Sequence, residues 1–304
     1  MRIGLLATWL SVLIAMPVSA HDGRLVVLLG ETDGYLAAAA RYWSERWSET
    51  HVVHGVGSLA ELREILATHP NRGAAPWREV VLVSHASEWS GLPLPLYPGE
   101  DSVTPHDLHA ARSSGAFPGL RASTLDAATS MRIEGCGIGR RPDVLEALAD
   151  LLSAERLLRL TASPHLVAYL EEDIDSVRRR ELPYASRIVH DLRRHDAVLA
   201  ELGTEVRAAL GDDTAQPLRS ELRPVGVRLQ LPRNIADSGA RPERIAARYQ
   251  PLRQRLRELG FTPAQLRWSI ERTAGNSHAE LVGQAFVLVV SPDVGVRLDG
   301  IASP

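Results

Sequence analysis

The sequence predicts an α/β fold built on a mainly parallel sheet. Apolar runs at 24–30 and 79–85 are typical of strands buried on both faces, and a third, short strand is predicted at 131–136. Segments with apolar residues at helical spacing, at 58–66 and 142–152, alternate with these strands. This alternation favours a parallel sheet, because each helix returns the chain to the edge where the previous strand began.

Local start and stop patterns mark several of the elements. Gly30 ends the first strand, and Ser58 followed by Glu61 predicts a capping box at a helix start. Thr104 and Pro105 predict another helix start, as N-cap and first-turn proline. In chain order we predict a strand (24–30), a helix (35–50), a strand (51–56), a helix (58–66), a strand (79–85), an edge ribbon at Leu92, Leu94 and Leu96, a helix from Thr104, a strand (131–136), a helix (142–152) and a strand (157–163).

The rest of the chain is predicted to have a different organisation. Residues 172–222 are charged and are expected to be largely helical, and residues 224–304 read as strand, helix, strand, strand. This last part either completes the first sheet or forms a small α+β region. The predicted divisions are a signal peptide at 1–20, an α/β domain at 21–175, a helical connector at 176–222 and a C-terminal α+β region at 223–304.

The N-terminal segment has the pattern of a cleavable secretory signal. Arg2 precedes an apolar run over 3–16, and small residues at 17–20 offer a cleavage site before His21. No other stretch is apolar over the roughly 20 residues that a membrane span requires. We therefore expect a periplasmic or secreted protein without a membrane span.

Composition and residue spacing narrow the classes of partner and cofactor. The formal net charge is −3 with both signs interspersed, which gives no electrostatic footprint for nucleic acid. The 11 histidines lack the spacing of metal ligands, and the turn at 135–139 lacks the third glycine of a dinucleotide-binding fingerprint. We expect no metal and no organic cofactor. Cys136 is the single cysteine, so its thiol is either packed in the core or used in chemistry.

Two of the apolar strands end in reactive side chains. The strand at 79–85 ends in His85, and the strand at 131–136 ends in Cys136. If these strands are parallel neighbours, both side chains emerge at the carboxyl edge of the sheet, where α/β folds bind their ligands. An imidazole beside a thiol is the arrangement that a cysteine nucleophile needs, so His85 and Cys136 are the candidate catalytic pair. Asp33, Glu88 and Ser163 lie near other strand ends and are candidates for a specificity pocket.

These strand ends, about 50 residues apart, resemble those of the caspase-like cysteine peptidases, a superfamily that includes caspases, gingipains, separase and bacterial CHAT domains. In that superfamily an apolar strand ends in His-Gly and a later strand ends in Ala-Cys or Gly-Cys. The resemblance covers about residues 24–170 and implies a caspase-like α/β/α sandwich. It further implies that Cys136 is the nucleophile and that His85 is the general base or imidazolium partner.

The same resemblance implies an oxyanion hole and a source of positive potential. The backbone N–H groups of Ala86 and Cys136 would hold the charge that develops on the attacked carbonyl oxygen. Arg140, Arg141 and the N-terminus of the helix that begins at Pro142 would favour the thiolate form of the cysteine.

Departures from the family pattern leave an alternative open. Ala86 stands where the family has glycine, and Glu134-Gly135-Cys136 replaces the Gln-Ala-Cys of true caspases. An exported cysteine-dependent hydrolase of peptide or protein substrates is therefore weighed against a catalytically inactive caspase-like envelope protein with a binding or structural role. Residues 255–266 also resemble the end of OmpA-like peptidoglycan-binding domains without their N-x-x-L-S-x-x-R signature, which adds cell-envelope components to the partners considered.

Overall fold

The computed structural model describes residues 22–89, 91–100, 102–156, 158–173, 176–189, 194–211, 215–258, 261–272 and 279–294. The signal peptide expected at 1–20 lies outside the described residues. A five-stranded sheet with order β2-β1-β3-β4-β5 forms the centre of the N-terminal half, and all of its strands are parallel. Its strands are β1 (Arg24–Leu29), β2 (Val52–Val56), β3 (Glu79–Ser87), β4 (Ser130–Cys136) and β5 (Arg159–Ala162).

Both faces of this sheet are covered, so its strands are apolar throughout. On one face, Val26 and Val81 pack against α1 (Gly34–Trp47). On the other face, Leu25 and Val80 pack against three helices, α2 (Leu59–Thr68), α3 (Pro105–Ser114) and α4 (Pro142–Leu152). The α/β prediction and the parallel sheet are confirmed. Since the chain leaves β1 in one direction for β2 and later crosses to β3 on the other side, the topological switch point lies between β1 and β3.

The layer that contains α1 differs from a layer made of helices alone. Beside α1 lies an antiparallel hairpin, β6 (Leu166–Asp173) and β7 (Ser176–Leu182). Val167 and Tyr169 of β6 pack into the same apolar cluster as the helix. A β-hairpin therefore completes the cover over this face.

The local signals at helix starts mostly hold. Thr104 caps α3 in a full capping box with Asp107. Ser58 caps α2, but the Glu61 carboxylate accepts a hydrogen bond from the Gly57 N–H at 2.7 Å rather than from Ser58. The edge ribbon predicted at Leu92, Leu94 and Leu96 is reduced to isolated bridges, Ser87 with Gly91 and Pro95 with Ser102.

The C-terminal half corrects the prediction of a helical connector at 176–222. β7 is followed by a second strand, β8 (Ala185–Val189), and among the described residues between β8 and β9 (Leu218–Leu231) the α-helix is α5 (His195–Leu210). The three arginines at 178–180 led to the helical prediction, but they belong to a strand whose apolar residues, Val177 and Leu182, are buried. A strand with charged residues on its exposed positions reads as a charged helix when register is unknown.

The C-terminal sheet is antiparallel and is organised around its last strand. β11 (Ala279–Pro292) pairs with β9 along one edge, and with β10 (Arg267–Arg272) and then β8 along the other. Short helices α6 (Arg233–Ala236), α7 (Pro242–Arg248) and α8 (Gln250–Glu258) join β9 to β10. The sequence pattern of 224–304 predicts one helix between its first two strands, but α7 ends at Arg248 and α8 begins at Gln250. The break comes just before Pro251, which has no N–H and whose ring would clash with a preceding helical turn.

Within the described ranges, no helix combines the length and the apolarity that crossing a bilayer requires.

Candidate functional site

His85 and Cys136 stand at the carboxyl edge of adjacent strands. β3 and β4 pair in parallel, with Val83 opposite Glu134 and Ser87 opposite Cys136. The register shifts between Val83 and Ser87, so β3 is irregular where His85 stands. The predicted juxtaposition of the two strand ends is therefore present, at the edge where sheets of this strand order bind ligands.

His85 is held by two residues that follow β1. Its Nε2 lies 2.7 Å from Asp33 Oδ2, which is the distance of an ion pair without the alignment of a full hydrogen bond. Its ring lies against that of Tyr35, with 4.9 Å between centroids. Asp33 is fixed in turn because it is the N-cap of α1, where Oδ1 accepts a hydrogen bond from Leu36 N at 3.0 Å. A helix cap thus positions the carboxylate that faces the imidazole.

Burial and Asp33 act in opposite directions on the pKa of His85. Burial lowers this pKa from its usual value because the imidazolium loses solvation, and the Asp33 carboxylate opposes the fall. The charge of Arg223 adds to the lowering. His85 is therefore biased toward the neutral form, in which a ring nitrogen can accept a proton.

Cys136 is enclosed where three parts of the fold meet. The residue is 6% exposed and packs with Leu166, Tyr184, Val287 and Val289. The two valines belong to β11, so the C-terminal sheet forms part of the wall around the thiol. The thiol accepts a hydrogen bond from the Val167 N–H.

Burial raises the pKa of the Cys136 thiol above its usual value, and the charges of Arg223 and Arg219 oppose this rise without cancelling it. This corrects the expectation that Arg140, Arg141 and the α4 N-terminus favour the thiolate. The positive charge near the sulfur comes instead from β9, about 80 residues further along the chain, a contact that no local pattern in the sequence indicates. In this conformation the thiol is protonated at neutral pH.

Arg140 and Arg141 are engaged elsewhere. The Arg140 guanidinium stacks on the Tyr184 ring at 4.1 Å and pairs with Glu88 at 3.2 Å. Arg141 forms a bidentate pair with Asp143. Glu88, considered for a specificity pocket, also accepts a hydrogen bond from Ser186, so it ties the loop after β3 to β8.

The turn after Cys136 is fixed by close packing. Gly137 has φ +71°, and a Cβ placed there would lie 1.8 Å from Tyr184 Oη. Its N–H donates to His165 O at 2.9 Å, and Gly139 N donates to Ser163 O at 3.1 Å. Ser163 therefore lies beside this turn through its backbone, while its hydroxyl donates to Glu181.

The proposed oxyanion-hole residue Ala86 is fully buried. A Cβ on Gly135 would lie 2.7 Å from Ala86 Cβ and 3.3 Å from Ala86 N. Glycine at 135 is therefore what allows β4 to approach β3 at this point. The Ala86 methyl packs in the cluster shared with α2, α3 and α4, so it also contributes to the core.

Glu134 is the site residue that the sequence prediction missed. Its side chain is 1% exposed, lies 2.8 Å from Arg179 Nε and 3.3 Å from Arg132 Nε, and accepts a hydrogen bond from Tyr169 Oη. An acidic residue inside an apolar strand implies a buried partner. The sequence could have indicated that Glu134 requires a buried partner. It could not have indicated that this partner is an arginine of β7.

Groups of three or more metal-ligating side chains are absent from the ranges that the structure describes. In these ranges His85 and Cys136 share no hydrogen bond, since the histidine faces Asp33 and the thiol faces Val167. The charge of Arg223 lowers the pKa of both residues. Comparisons with models of protein families, with curated proteins and with solved structures found no match to this chain.

Proposed function

We propose that this chain is an exported cysteine-dependent hydrolase of the caspase-like type, with Cys136 as nucleophile and His85 as its proton-transfer partner. The observation that supports it best is that adjacent parallel strands end in His85 and Cys136 at one sheet edge. A second support is Asp33, which faces the imidazole as the third member of nucleophile–base–orienter arrangements does. Peptide or acyl bonds are the substrate class.

In the proposed reaction the sulfur of Cys136 attacks the carbonyl carbon as its proton passes to His85. The S–C bond forms, the C–N bond of the peptide breaks, and His85 protonates the leaving amine. Water then hydrolyses the thioester, which releases the acid and restores the thiol. Backbone N–H groups of Cys136 and Ala86 hold the oxyanion during both steps.

The enclosed thiol corresponds to a resting state in this proposal. Cys136 is buried in an apolar cluster that includes Val287 and Val289 of β11, so in this proposal the sulfur must become more exposed before a substrate reaches it. The same enclosure favours a second candidate, a non-catalytic binding or structural protein in which Cys136 is a packed core residue. A thiol with a raised pKa in an apolar cluster is what that candidate predicts.

Turnover of quenched fluorescent peptides separates the two candidates. The peptides form a library in which each member has a different one of the twenty residues before the scissile bond, so that every possible preference at this position is tested. A hydrolase loses all turnover in Cys136→Ala and His85→Ala. The matched control is His51→Ala, because His51 forms a similar pair with Asp22, at 2.9 Å, away from Cys136.

The packed-core candidate gives a different set of results. Wild-type protein then shows no turnover with any library member, and iodoacetamide modifies Cys136 only after denaturation. Export is tested separately, by mass spectrometry of protein recovered outside the cytoplasm, where His21 is the expected first residue. Recovery of only the full-length chain would contradict export without bearing on catalysis.

A further inference from the structure

We propose that Tyr184 is the hydrogen-bond donor for the anionic sulfur of Cys136, and that its phenol hydroxyl occupies the space left by the missing side chain of Gly137. The inference rests on the proposed function, in which the thiol gives its proton to His85 and leaves a negative charge on the sulfur. It adds a residue that immediately precedes β8 to a pair drawn from β3 and β4.

The phenol of Tyr184 lies directly beside the turn that follows Cys136. A Cβ placed on Gly137 would lie 1.8 Å from Tyr184 Oη and 2.7 Å from Tyr184 Cζ, so the hydroxyl end of the ring fills the space where a side chain at 137 would begin. Tyr184 and Cys136 also belong to the same apolar cluster, which includes Leu166 and Val287. Packing therefore places the hydroxyl next to the residue that follows the thiol.

The side chain of Tyr184 is held in place, but its hydroxyl is left unpaired. The Arg140 guanidinium lies 4.1 Å over the ring, and Arg140 Nη2 donates to the Tyr184 carbonyl oxygen at 3.0 Å. The residue is 7% exposed, and among the described residues its buried Oη has no aligned hydrogen-bond partner. The nearby Glu88 carboxylate accepts instead from Arg140 and from Ser186. Buried polar groups are nearly always paired, so this hydroxyl calls for an acceptor that forms in another state of the site.

The ionised sulfur of Cys136 is the acceptor that fits this donor. A neutral thiol is a weak acceptor, whereas an ionised acceptor forms the stronger class of hydrogen bond. The sulfur accepts from the Val167 N–H, which leaves a thiolate in need of further donors. Burial raises the pKa of the thiol. Arg223 and Arg219 of β9 oppose this rise and Glu221 adds to it, so these charges alone do not restore the usual pKa.

The surroundings of Tyr184 keep its own proton in place. Burial raises the pKa of the phenol well above its usual value, the charges of Glu88 and Cys136 raise it further, and Arg140 opposes them. When the S–H bond of Cys136 breaks, the proton therefore passes to His85 and the phenol stays neutral. A neutral phenol can donate a hydrogen bond to the sulfur and keep its proton through the reaction.

The single cysteine allows the ionisation of the sulfur to be followed directly. In protein that carries ¹³C at the cysteine Cβ, one resonance moves as the thiol ionises, and its midpoint does not depend on the access of a reagent to the buried sulfur. Tyr184→Phe keeps the ring and removes only the hydroxyl, and we expect the midpoint pH of the folded protein to rise by about one unit. Tyr42→Phe is the matched control, because Tyr42 is also buried but packs in the apolar cluster of α1, which does not include Cys136. The control keeps the wild-type midpoint.

The outcomes separate this inference from the proposed function. A midpoint that does not rise in folded Tyr184→Phe, or that rises equally in Tyr42→Phe, overturns the inference even if wild-type protein cleaves peptides. A midpoint that rises only in Tyr184→Phe, in a protein that cleaves no peptide, supports the inference and contradicts the proposed function. Should Tyr184→Phe fail to fold, the wild-type chain is produced with 3-fluorotyrosine, whose more acidic phenol is the stronger donor. The Cys136 midpoint then falls, and an unchanged or higher midpoint overturns the inference.

Discussion

Asp33 has two roles, as the N-cap of α1 and as the charged partner of His85, and two substitutions separate these roles. Its Oδ1 caps α1 through Leu36 N, and its Oδ2 faces His85 Nε2. Asp33→Asn keeps a good capping oxygen and removes the charge, whereas Asp33→Ala removes both. The cap contributes about 1 kcal/mol. The charge pair contributes less than about 1 kcal/mol, because the carboxylate is 39% exposed and solvent screens it.

The charge contribution depends on pH in a direction that can be worked out. The pKa of folded His85 is lowered by burial, so stability falls as pH drops below about 6.5, where the unfolded chain takes up the proton first. Asp33 opposes that fall by stabilising the imidazolium. Asp33→Asn is therefore nearly as stable as wild type at pH 8, and its deficit grows toward about 1 kcal/mol at pH 5.5.

Urea denaturation at pH 8 and pH 5.5, with His85 followed by NMR, measures these effects. Asp33→Ala should lose about 1 kcal/mol at pH 8, which is about 2–4 °C in Tm for a protein of this size. Ser58→Ala is the control, because it removes the α2 cap without touching a histidine, so its cost is the same at both pH values. A deficit of Asp33→Asn that does not change with pH, or an unshifted His85 titration, would refute the reasoning.

Three further predictions follow from contacts around the site. Glu134→Gln leaves the half-buried Arg179 without its main counter-charge, and we expect a loss of about 3 kcal/mol in urea denaturation; an unchanged midpoint contradicts this. Gly137→Ala places a methyl group on Tyr184 Oη at positive φ, and should lower Tm by several degrees; a wild-type Tm rules out the clash. Since burial raises the pKa of Cys136, its contribution to stability is full below about pH 9 and lost as pH rises further; Cys136→Ala should lack this decline in denaturation curves from pH 8 to 10.5.

The parallel sheet could be predicted because two of its strands have a sequence pattern that is typical of buried strands. Residues 25–29 and 80–83 are apolar without interruption, which is typical of strands buried on both faces, and His85 lies just after the second run. Cys136 ends β4, a shorter strand that also carries Arg132 and Glu134. Once β3 and β4 are placed side by side, the two reactive side chains must share an edge. This part of the site depends on local pattern and topology alone.

The surroundings of the thiol could not be predicted, because they are built from distant segments. Arg223 on β9 and Val289 on β11 come near Cys136 only through the packing of the C-terminal sheet. The hydrophobic periodicity of the sequence does not indicate contacts between segments so far apart in the chain. The arginine-rich β7 was mistaken for helix for a related reason. Arg179 of β7 pairs with Glu134, which is buried in β4, so the sequence alone predicts a solvated arginine where the structure has a paired one.

The structure also changes the effect that we expect from a substitution at Ala86. From the family pattern alone, Ala86→Gly restores the expected residue at no cost. The structure places the Ala86 methyl in the core, where its loss removes apolar contact and adds backbone freedom, at a cost of about 1–2 kcal/mol. Any gain in turnover from this substitution must therefore be measured in protein shown to be folded.

The position of β11 in the chain sets an order of assembly. All five strands of the parallel sheet are present by residue 162, but β11, which contributes to the apolar cluster of Cys136 and pairs with β8, β9 and β10, begins only at Ala279. During synthesis the N-terminal part can therefore fold first, with its thiol less shielded from solvent until β11 docks. That interval exposes a lone cysteine to oxidation before the finished protein shields it. Iodoacetamide pulses during refolding should label Cys136 early and lose access as β11 pairs, and labelling that never exceeds the native rate would contradict this order.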